Sequence, residues 1–434
     1  MESIWKKTAE LPEFHTLTKD IRTKVLIIGG GMAGILCAYF LQRSGVDYCL
    51  LEADTICSGV TGNTTAKITS QHGLIYDSLI SRAGREIADG YLRANELALK
   101  RYKDLGWLID CDMKEVDSYV FDRMDAEKLK REAAAVMQLG FPAEYVEQVD
   151  LPFETAGAVR FPNQAQFHPL KFVAAIAKNL NIYEHSPVRE MTEYFALTDH
   201  GSVAAEKVIV ATHFPFINRR GSYFVKLYQE RSYVLSLKNT EIPDGIYLEA
   251  KKGGLSLRGY EDTLLLGGIT HRTGKEPDGF EKLREQAKLY FPEAEITGQW
   301  AAQDCMTLDG LPYIGNYSSS TPDLFVAGGF GKWGMTGAIV LSDLVQGREN
   351  EFAAIFNPSR GILKPQLAIN MWEAMKGILK PRVKNRCTHM GCVLHWNAKE
   401  QTFECPCHGS CFDASGEVLE NPARHKLENK SDVF

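Results

Sequence analysis

KVLIIGGGMAGILCAYFLQRSGVDYCLLE, residues 24–52, is the stretch that decides the fold. Val25-Leu26-Ile27-Ile28 is a short, β-branched apolar run of the kind that forms a buried parallel strand. It passes straight into Gly29-Gly30-Gly31-Met32-Ala33-Gly34, which satisfies G-x-G-x-x-G. Apolar residues then recur at helical spacing through Ile35, Ala38, Tyr39 and Leu41 until Ser44-Gly45 stops the helix. A second strand over residues 48–51 ends on Glu52. Gly29 permits the tight turn, Gly31 lets a pyrophosphate approach the backbone, and Gly34 lets the helix pack closely. The helix N-terminus attracts phosphates through its free N–H groups and dipole. Glu52, 18 residues after Gly34, is placed to accept hydrogen bonds from an adenosine ribose. The stretch therefore predicts a dinucleotide site and leaves NAD and FAD both open.

With 434 residues the chain has room for two or three domains. Its 44% hydrophobic and 24% charged content is ordinary for a globular protein, and a net charge of −6 gives no reason to expect nucleic-acid binding. No apolar run approaches a membrane span, and MESIWKKTAELPEFH lacks the apolar core of a signal peptide, so the expected location is the cytoplasm. Cys37, Cys49, Cys57, Cys111 and Cys305 are scattered among apolar neighbours and read as buried thiols. Cys387, Cys392, Cys405, Cys407 and Cys411 crowd into 25 residues, which in a cytoplasmic chain favours a metal site over a disulfide scaffold.

The first twenty residues read as a surface lead-in. Residues 58–67, SGVTGNTTAK, are small and hydroxyl-rich, suited to passing close to a bulky cofactor. Helical periodicity covers residues 77–105 and 125–139; residues 163–166 read as a polar turn, and 181–188 and 207–212 as strands. Alternating runs between 223 and 271, YVLSLK, GIYLEA, GLSLRGY and TLLLGGI, predict an antiparallel sheet that covers the cofactor. LFVAGGF, residues 324–330, is a further buried strand, followed by the glycine-rich turn GKWGMTG and an apolar helix to about residue 345.

These features together resemble the D-amino-acid oxidase/glycerol-3-phosphate dehydrogenase superfamily of FAD enzymes over most of residues 22–348. The resemblance rests on GGGMAG with Glu52, VIVAT at 208–212, DGLPYIG at 309–315 and LFVAGGFGKWGMTGA. It implies FAD and a cofactor cradle of Gly29, Gly31, Gly34, Glu52, Ser58, Gly59, Thr61, Gly62, Thr64, Thr65, Val188 and Thr212. Gly334, Met335 and Thr336 would face the pyrimidine edge of the flavin, where a positive helix end stabilises negative charge. The tail reads C-x-H at Cys387 and His389, a 15-residue gap, then C-x-x-H at Cys405 and His408, and looks like the Rieske [2Fe–2S] motif. That resemblance gives Cys387 and Cys405 one iron and His389 and His408 the other, and implies a disulfide between Cys392 and Cys407. The ligand types alone also allow a Cys₂His₂ zinc site. The tail departs from the Rieske pattern in two respects: almost nothing between the helical segment at 371–379 and Cys387 is left to form the strands on which cluster loops normally sit, and Cys411 replaces the residue, often Arg, that the pattern places after H-G-S.

The expected fold class is α/β and α+β: a Rossmann-like FAD-binding domain with an inserted antiparallel-sheet substrate domain, plus a small all-β Rieske-like tail. The FAD-binding parts are expected at 22–80, 171–222 and 301–348, and the substrate domain at 81–170 and 223–300. A linker at 349–385 leads to the cluster segment at 386–434. The expected function is oxidation of a small amine, amino acid or hydroxy acid, with electrons passing from FAD through the cluster to an acceptor that is a protein or a quinone. The absence of a second G-x-G-x-x-G argues against NAD(P)H as reductant. Lys67, His72, Arg231 and Arg258 are the candidate substrate or catalytic residues; His168, before a proline, reads as either a helix cap or a catalytic group. The alternative is a non-catalytic electron carrier, or a flavoenzyme whose shortened tail holds zinc or no cluster.

Overall fold

The computed structural model describes residues 2–217, 220–337, 348–379 and 385–427. The apolar run opening the fingerprint lies in the strand Ile21–Ile28, near the middle of a sheet. Its neighbours are Tyr48–Leu51 on one side and Ser202–Val210 on the other, both parallel to it. Ile182–Tyr183 and Leu324–Gly328 extend the parallel order, and Tyr313–Asn316 closes one edge antiparallel. Because both faces are covered, alternate side chains enter two different cores: Ile27, Leu50 and Ile209 pack with the helix Met32–Arg43, whereas Leu26, Cys49 and Val208 pack on the opposite side. Each such burial stabilises the fold by about 1.5–3 kcal/mol.

The second sheet is ordered Glu295–Thr307, Leu227–Lys238, Thr263–Arg272, Ser256–Tyr260, Ile246–Glu249, Lys114–Phe121, Ala158–Gln166 and Lys67–Ile68. Every pairing along it is antiparallel except that of Ile246–Glu249 with Lys114–Phe121. Tyr233, Leu235 and Leu237 alternate onto the face covered by the helix Gly279–Tyr290, and Val234 onto the other. A third, small sheet of His395–Asn397, Thr402–Glu404, Cys411–Asp413 and Val418–Glu420 forms the tail. Among the described residues no helix is long and apolar enough to cross a membrane.

Several local expectations are corrected. The N-terminal residues are not a surface lead-in: Ser3, Trp5 and Leu17 are fully buried. Residues 163–166 are not a turn but the end of the strand Ala158–Gln166, whose polar side chains find partners inside the sheet. The helical stretch at 77–105 is two helices, Tyr76–Ala83 and Arg85–Gly106, broken at Gly84, whose φ of +91° an L side chain resists. Residues 181–188 yield only the strand Ile182–Tyr183. The linker carries two helices, Ala353–Phe356 and Pro365–Leu379. Two strands cross the expected segment limits: Lys67–Ile68 joins the second sheet, and Glu295–Thr307 runs past residue 300. The expected apolar helix to residue 345 lies outside the described residues beyond Gly337.

Candidate active site and cluster-binding tail

The first and second sheets enclose a cavity of about 620 Å³. Its wall includes Gly29, Gly31, Glu52, Ser58, Gly59, Thr61, Thr64, Thr65, Val188, Thr212, Gly334 and Met335, twelve of the fifteen residues expected at the cofactor. Gly34, Gly62 and Thr336 sit behind it. A Cβ on Gly34 would stand 1.9 Å from the Gly29 carbonyl oxygen, so this glycine lets the helix close onto its own turn. Gly62 abuts the Cys57 carbonyl and the Lys6 side chain, and the Thr336 hydroxyl lies 3.4 Å from His72 Nε2. Gly31 by contrast has only the Thr61 hydroxyl near its missing Cβ, and Gly59 has nothing within 4 Å, which leaves backbone open to the cavity. Glu52 accepts from the backbone N–H of Gly30 at 2.6 Å and of Asp54 at 3.0 Å. Burial raises its pKa, and those two N–H groups oppose the rise. The glycine cradle, the helix N-terminus and the buried acid fit a dinucleotide cofactor.

The loop at 58–65 is fixed by the N-terminal helix Ile4–Thr8. Trp5 Nε1 donates to the Thr64 carbonyl at 2.6 Å, Lys6 Nζ to that of Ser58 at 2.5 Å, and Ser3 Oγ to that of Gly62. These braces were missed in the sequence; the one signal was a tryptophan placed in an otherwise polar lead-in.

The four candidate substrate residues separate. Lys67 lines the cavity, and its Nζ donates to Ser256 Oγ and, at 3.3 Å, to Thr65 Oγ1. Burial, with the charges of Arg258 and Lys332, pushes its pKa down to about 7. His72 stands behind Trp333, stacked at 4.5 Å between ring centroids, with Nδ1 at 2.6 Å from the Tyr91 hydroxyl and Nε2 at 2.8 Å from the Thr69 carbonyl. Burial pushes its pKa down to about 3. Arg258 does not face the cavity: its guanidinium donates to the carbonyls of Thr65, Ala66, Phe167 and Gly259 and lies over the Trp5 ring. Arg231 points the other way, into a two-point pair with Glu400 of the tail, because adjacent strand positions face opposite sides of the sheet. His168 is a cap: Nδ1 accepts from the Lys171 N–H at 3.2 Å. A polar group unforeseen in the sequence fills the same cavity wall as Lys67. Lys332 Nζ donates to Thr270 Oγ1 at 2.6 Å and Ser232 Oγ at 2.9 Å, with Asp304 3.6 Å away. Burial raises the Asp304 pKa against the charge of Lys332.

In the tail, His389 and His408 face each other at 4.9 Å between centroids and 86° between planes, each edge-on to Phe214. His408 Nε2 donates to the Phe224 carbonyl at 2.8 Å, which fixes the proton on Nε2 and leaves its Nδ1 lone pair buried without a hydrogen-bond partner. Burial holds His389 down to about 4 and His408 down to about 3, so both are neutral imidazoles. The Cys387 thiol adjoins Cys405 and lowers its pKa. Two adjacent thiols and two inward neutral imidazoles fit a cluster whose two irons take different ligands. The Sγ atoms of Cys392, Cys405 and Cys407 also lie within 4.8 Å of one another. Cys392 and Cys407, the expected disulfide partners, are free thiols in this structure, both buried, with their Sγ atoms within 4.8 Å of each other. A Cβ on Gly377 would come within 2.6 Å of Cys407 Sγ, so the helix Pro365–Leu379 lies directly against this pair. Cys411, the second departure from the Rieske pattern, is buried and paired through its backbone with Glu404.

A family model described as FAD dependent oxidoreductase matches residues 24–347. The chain belongs to this family of FAD-dependent oxidoreductases. A second model, the Rieske [2Fe-2S] domain, matches residues 371–430, so the family's FAD is joined here by a [2Fe–2S] cluster-binding tail. A Bacillus subtilis protein, YhfW, whose name assigns it a Rieske 2Fe-2S iron-sulfur centre, is 34% identical over 494 aligned positions, 98% of this chain and 97% of its own. An alignment of 494 positions against a chain of 434 residues leaves at least 60 positions that the relative has and this chain lacks. Over 55 residues the tail is 47% identical to the cytochrome b6-f complex iron-sulfur subunit 1 of Nostoc, covering 13% of this chain and 31% of that one. The fold is that of glycine oxidase from Geobacillus kaustophilus, at a TM-score of 0.67, 21% identity, and 79% and 99% coverage of the two chains. L-proline dehydrogenase from P. horikoshii gives 0.66, 17%, and 79% and 98%.

Proposed function

We propose that this FAD-dependent oxidoreductase oxidises a small amine, amino acid or hydroxy acid and sends the electrons through its Rieske cluster to a protein or quinone acceptor. One observation carries the reading: Val418, Glu420, Asn421 and Ala423 of the tail line the same cavity as Gly31, Thr61 and Thr212 of the flavoprotein body. The two redox modules share a wall within one chain. FAD supplies two-electron chemistry and the cluster single-electron transfer.

Glu52 holds the ribose through carboxylate lone pairs left over from its two backbone bonds. Gly29 and Gly31, with the Ser58–Thr65 loop, keep backbone against the pyrophosphate, and Gly334 and Met335 stand at the flavin end. Lys67, whose pKa lies at about 7, takes the proton of a substrate ammonium or hydroxyl at Nζ. Lys332, held by Thr270 and Ser232, presents a positive charge to an anionic substrate group. Cys387 and Cys405 hold one iron and His389 and His408 the other. In this reading residues 22–80, 171–222 and 301–348 bind FAD, residues 81–170 and 223–300 form the substrate domain, and residues 386–434 carry the cluster.

The test is anaerobic bleaching of the flavin by a panel of amines, amino acids and hydroxy acids. At least one member should bleach it within turnover time. If none does while a reduced protein partner does, the chain is a carrier and the enzymatic reading is wrong.

A further inference from the structure

The second cluster loop joins the paired strands Thr402–Glu404 and Cys411–Asp413 of its own small sheet, but its outward carbonyls are met from outside that sheet. Four consecutive carbonyls, those of Pro406, Cys407, His408 and Gly409, each accept a hydrogen bond from a side chain of the flavoprotein body. Arg272 Nε donates to Pro406 O at 2.8 Å and Nη2 to Cys407 O at 2.9 Å. Gln229 Nε2 donates to His408 O at 2.8 Å, and Gln303 Nε2 to Gly409 O at 2.7 Å. The two glutamines are 1% exposed and are fully satisfied as a pair. The second N–H of Gln303 goes to Gln229 Oε1 at 2.7 Å, and that of Gln229 to Asn421 O at 3.0 Å. This accounting fixes which way each amide points, because only N–H groups can meet the carbonyls. His213, on the cavity wall, adds its Nε2 to Gln229 Oε1 at 3.1 Å. The body backbone joins in: Gly274 N donates to Glu404 Oε2 at 3.0 Å, and its carbonyl accepts from His395 Nδ1 at 2.7 Å.

We propose that the Leu227–Lys238, Thr263–Arg272 and Glu295–Thr307 strands of the flavoprotein are the base on which the cluster is assembled, with Gln229, Gln303 and Arg272 as positioning residues for the His408 loop. The proposal rests on the reading that the tail carries a Rieske cluster. It explains how a tail with so few strands before Cys387 holds its second loop: the row of carbonyl acceptors that a private base would satisfy is satisfied by the neighbouring sheet. It also sets the orientation. His408 enters with Nε2 on the Phe224 backbone carbonyl and its ring edge-on to Phe214, toward the body rather than solvent.

The experiment measures iron, acid-labile sulfide and FAD per chain in the full-length protein, with EPR of the dithionite-reduced form. It compares wild type, Gln229→Leu/Gln303→Leu, Arg272→Met and Gly274→Ala. The last adds a Cβ 3.2 Å from Pro406 N, at a φ of +75°, from the body side. The double variant should lose more than half of its iron and sulfide while keeping wild-type FAD content, and the two single variants should shift the EPR g-values or lose part of the iron. Iron, sulfide and EPR unchanged in all three variants would overturn the proposal. Zinc or no metal in the wild type would instead overturn the cluster reading beneath it. FAD content separates both outcomes from misfolding, since a collapsed body loses flavin as well.

Discussion

The turn at Gly29–Gly34 and the loop at Cys405–Ser410 are both glycine-bearing turns made to hold a redox cofactor, yet they are closed by different parts of the chain. The first is shut by its own carbonyl at Gly29, by Glu52 and by Thr61, all within about thirty residues. The second adds to its own turn bonds, Cys405 N to Ser410 O and Gly409 N to Cys405 O, a clamp of Gln229, Arg272 and Gln303 from more than a hundred residues earlier. The first is therefore written mainly in local sequence, the one distant element against it being the backbone at Ala211, which packs on Gly29. The second depends on an already folded sheet.

The largest effect that separates the two regions should come from Gly34→Ala. Its Cβ would collide with the Gly29 carbonyl, and neither atom is at a flexible side-chain end, so the cost is about 3 kcal/mol or more. FAD should be lost and the cluster with it, seen as absent flavin and iron in the purified protein. Arg231→Ala should be the converse. It strands the buried Glu400 carboxylate, a loss of up to about 3 kcal/mol, and should lower iron content while substrate still bleaches the flavin at the wild-type rate. Slower bleaching would restore Arg231 to the substrate site. Gly377→Ala should cost less, about 1–2 kcal/mol, because a Cβ 2.6 Å from Cys407 Sγ can be relieved by tilting the helix. Its mark is partial loss of iron with unchanged FAD.

The smallest effect is a pH profile. Lys67 has a folded pKa lowered to about 7 from 10.5, so its neutral, proton-accepting form grows tenfold per pH unit below 7 and levels off above it. Flavin bleaching should rise with pH and plateau just above 7, and Lys67→Met should remove that limb. A profile flat from pH 5 to 9 in the wild type would assign the proton to another group.

Much of this was legible in the sequence, for a reason visible in the comparison. Residues 24–52 combine a buried strand, a glycine turn and an acid whose roles are all local, and the spacing of Cys387, His389, Cys405 and His408 is likewise contiguous. What escaped was whatever depended on distant partners. Trp5 looked like a surface residue until the loop at 58–65 closed over it. Arg231 and Arg258 were expected at the substrate because strand alternation gives two faces without saying which faces the cavity. Gln229 and Gln303 carried no motif, and only the paired amides in the folded sheet give them a purpose.

The most direct test of the account is anaerobic reduction of the flavin by its substrate or by light, without mediators, followed by EPR of the frozen sample. Transfer within one chain predicts a reduced-cluster signal that appears as the flavin gives up one of its two electrons, at a rate independent of protein concentration. A cluster that stays oxidised until a mediator is added, or that is reduced at a rate proportional to protein concentration, would contradict it.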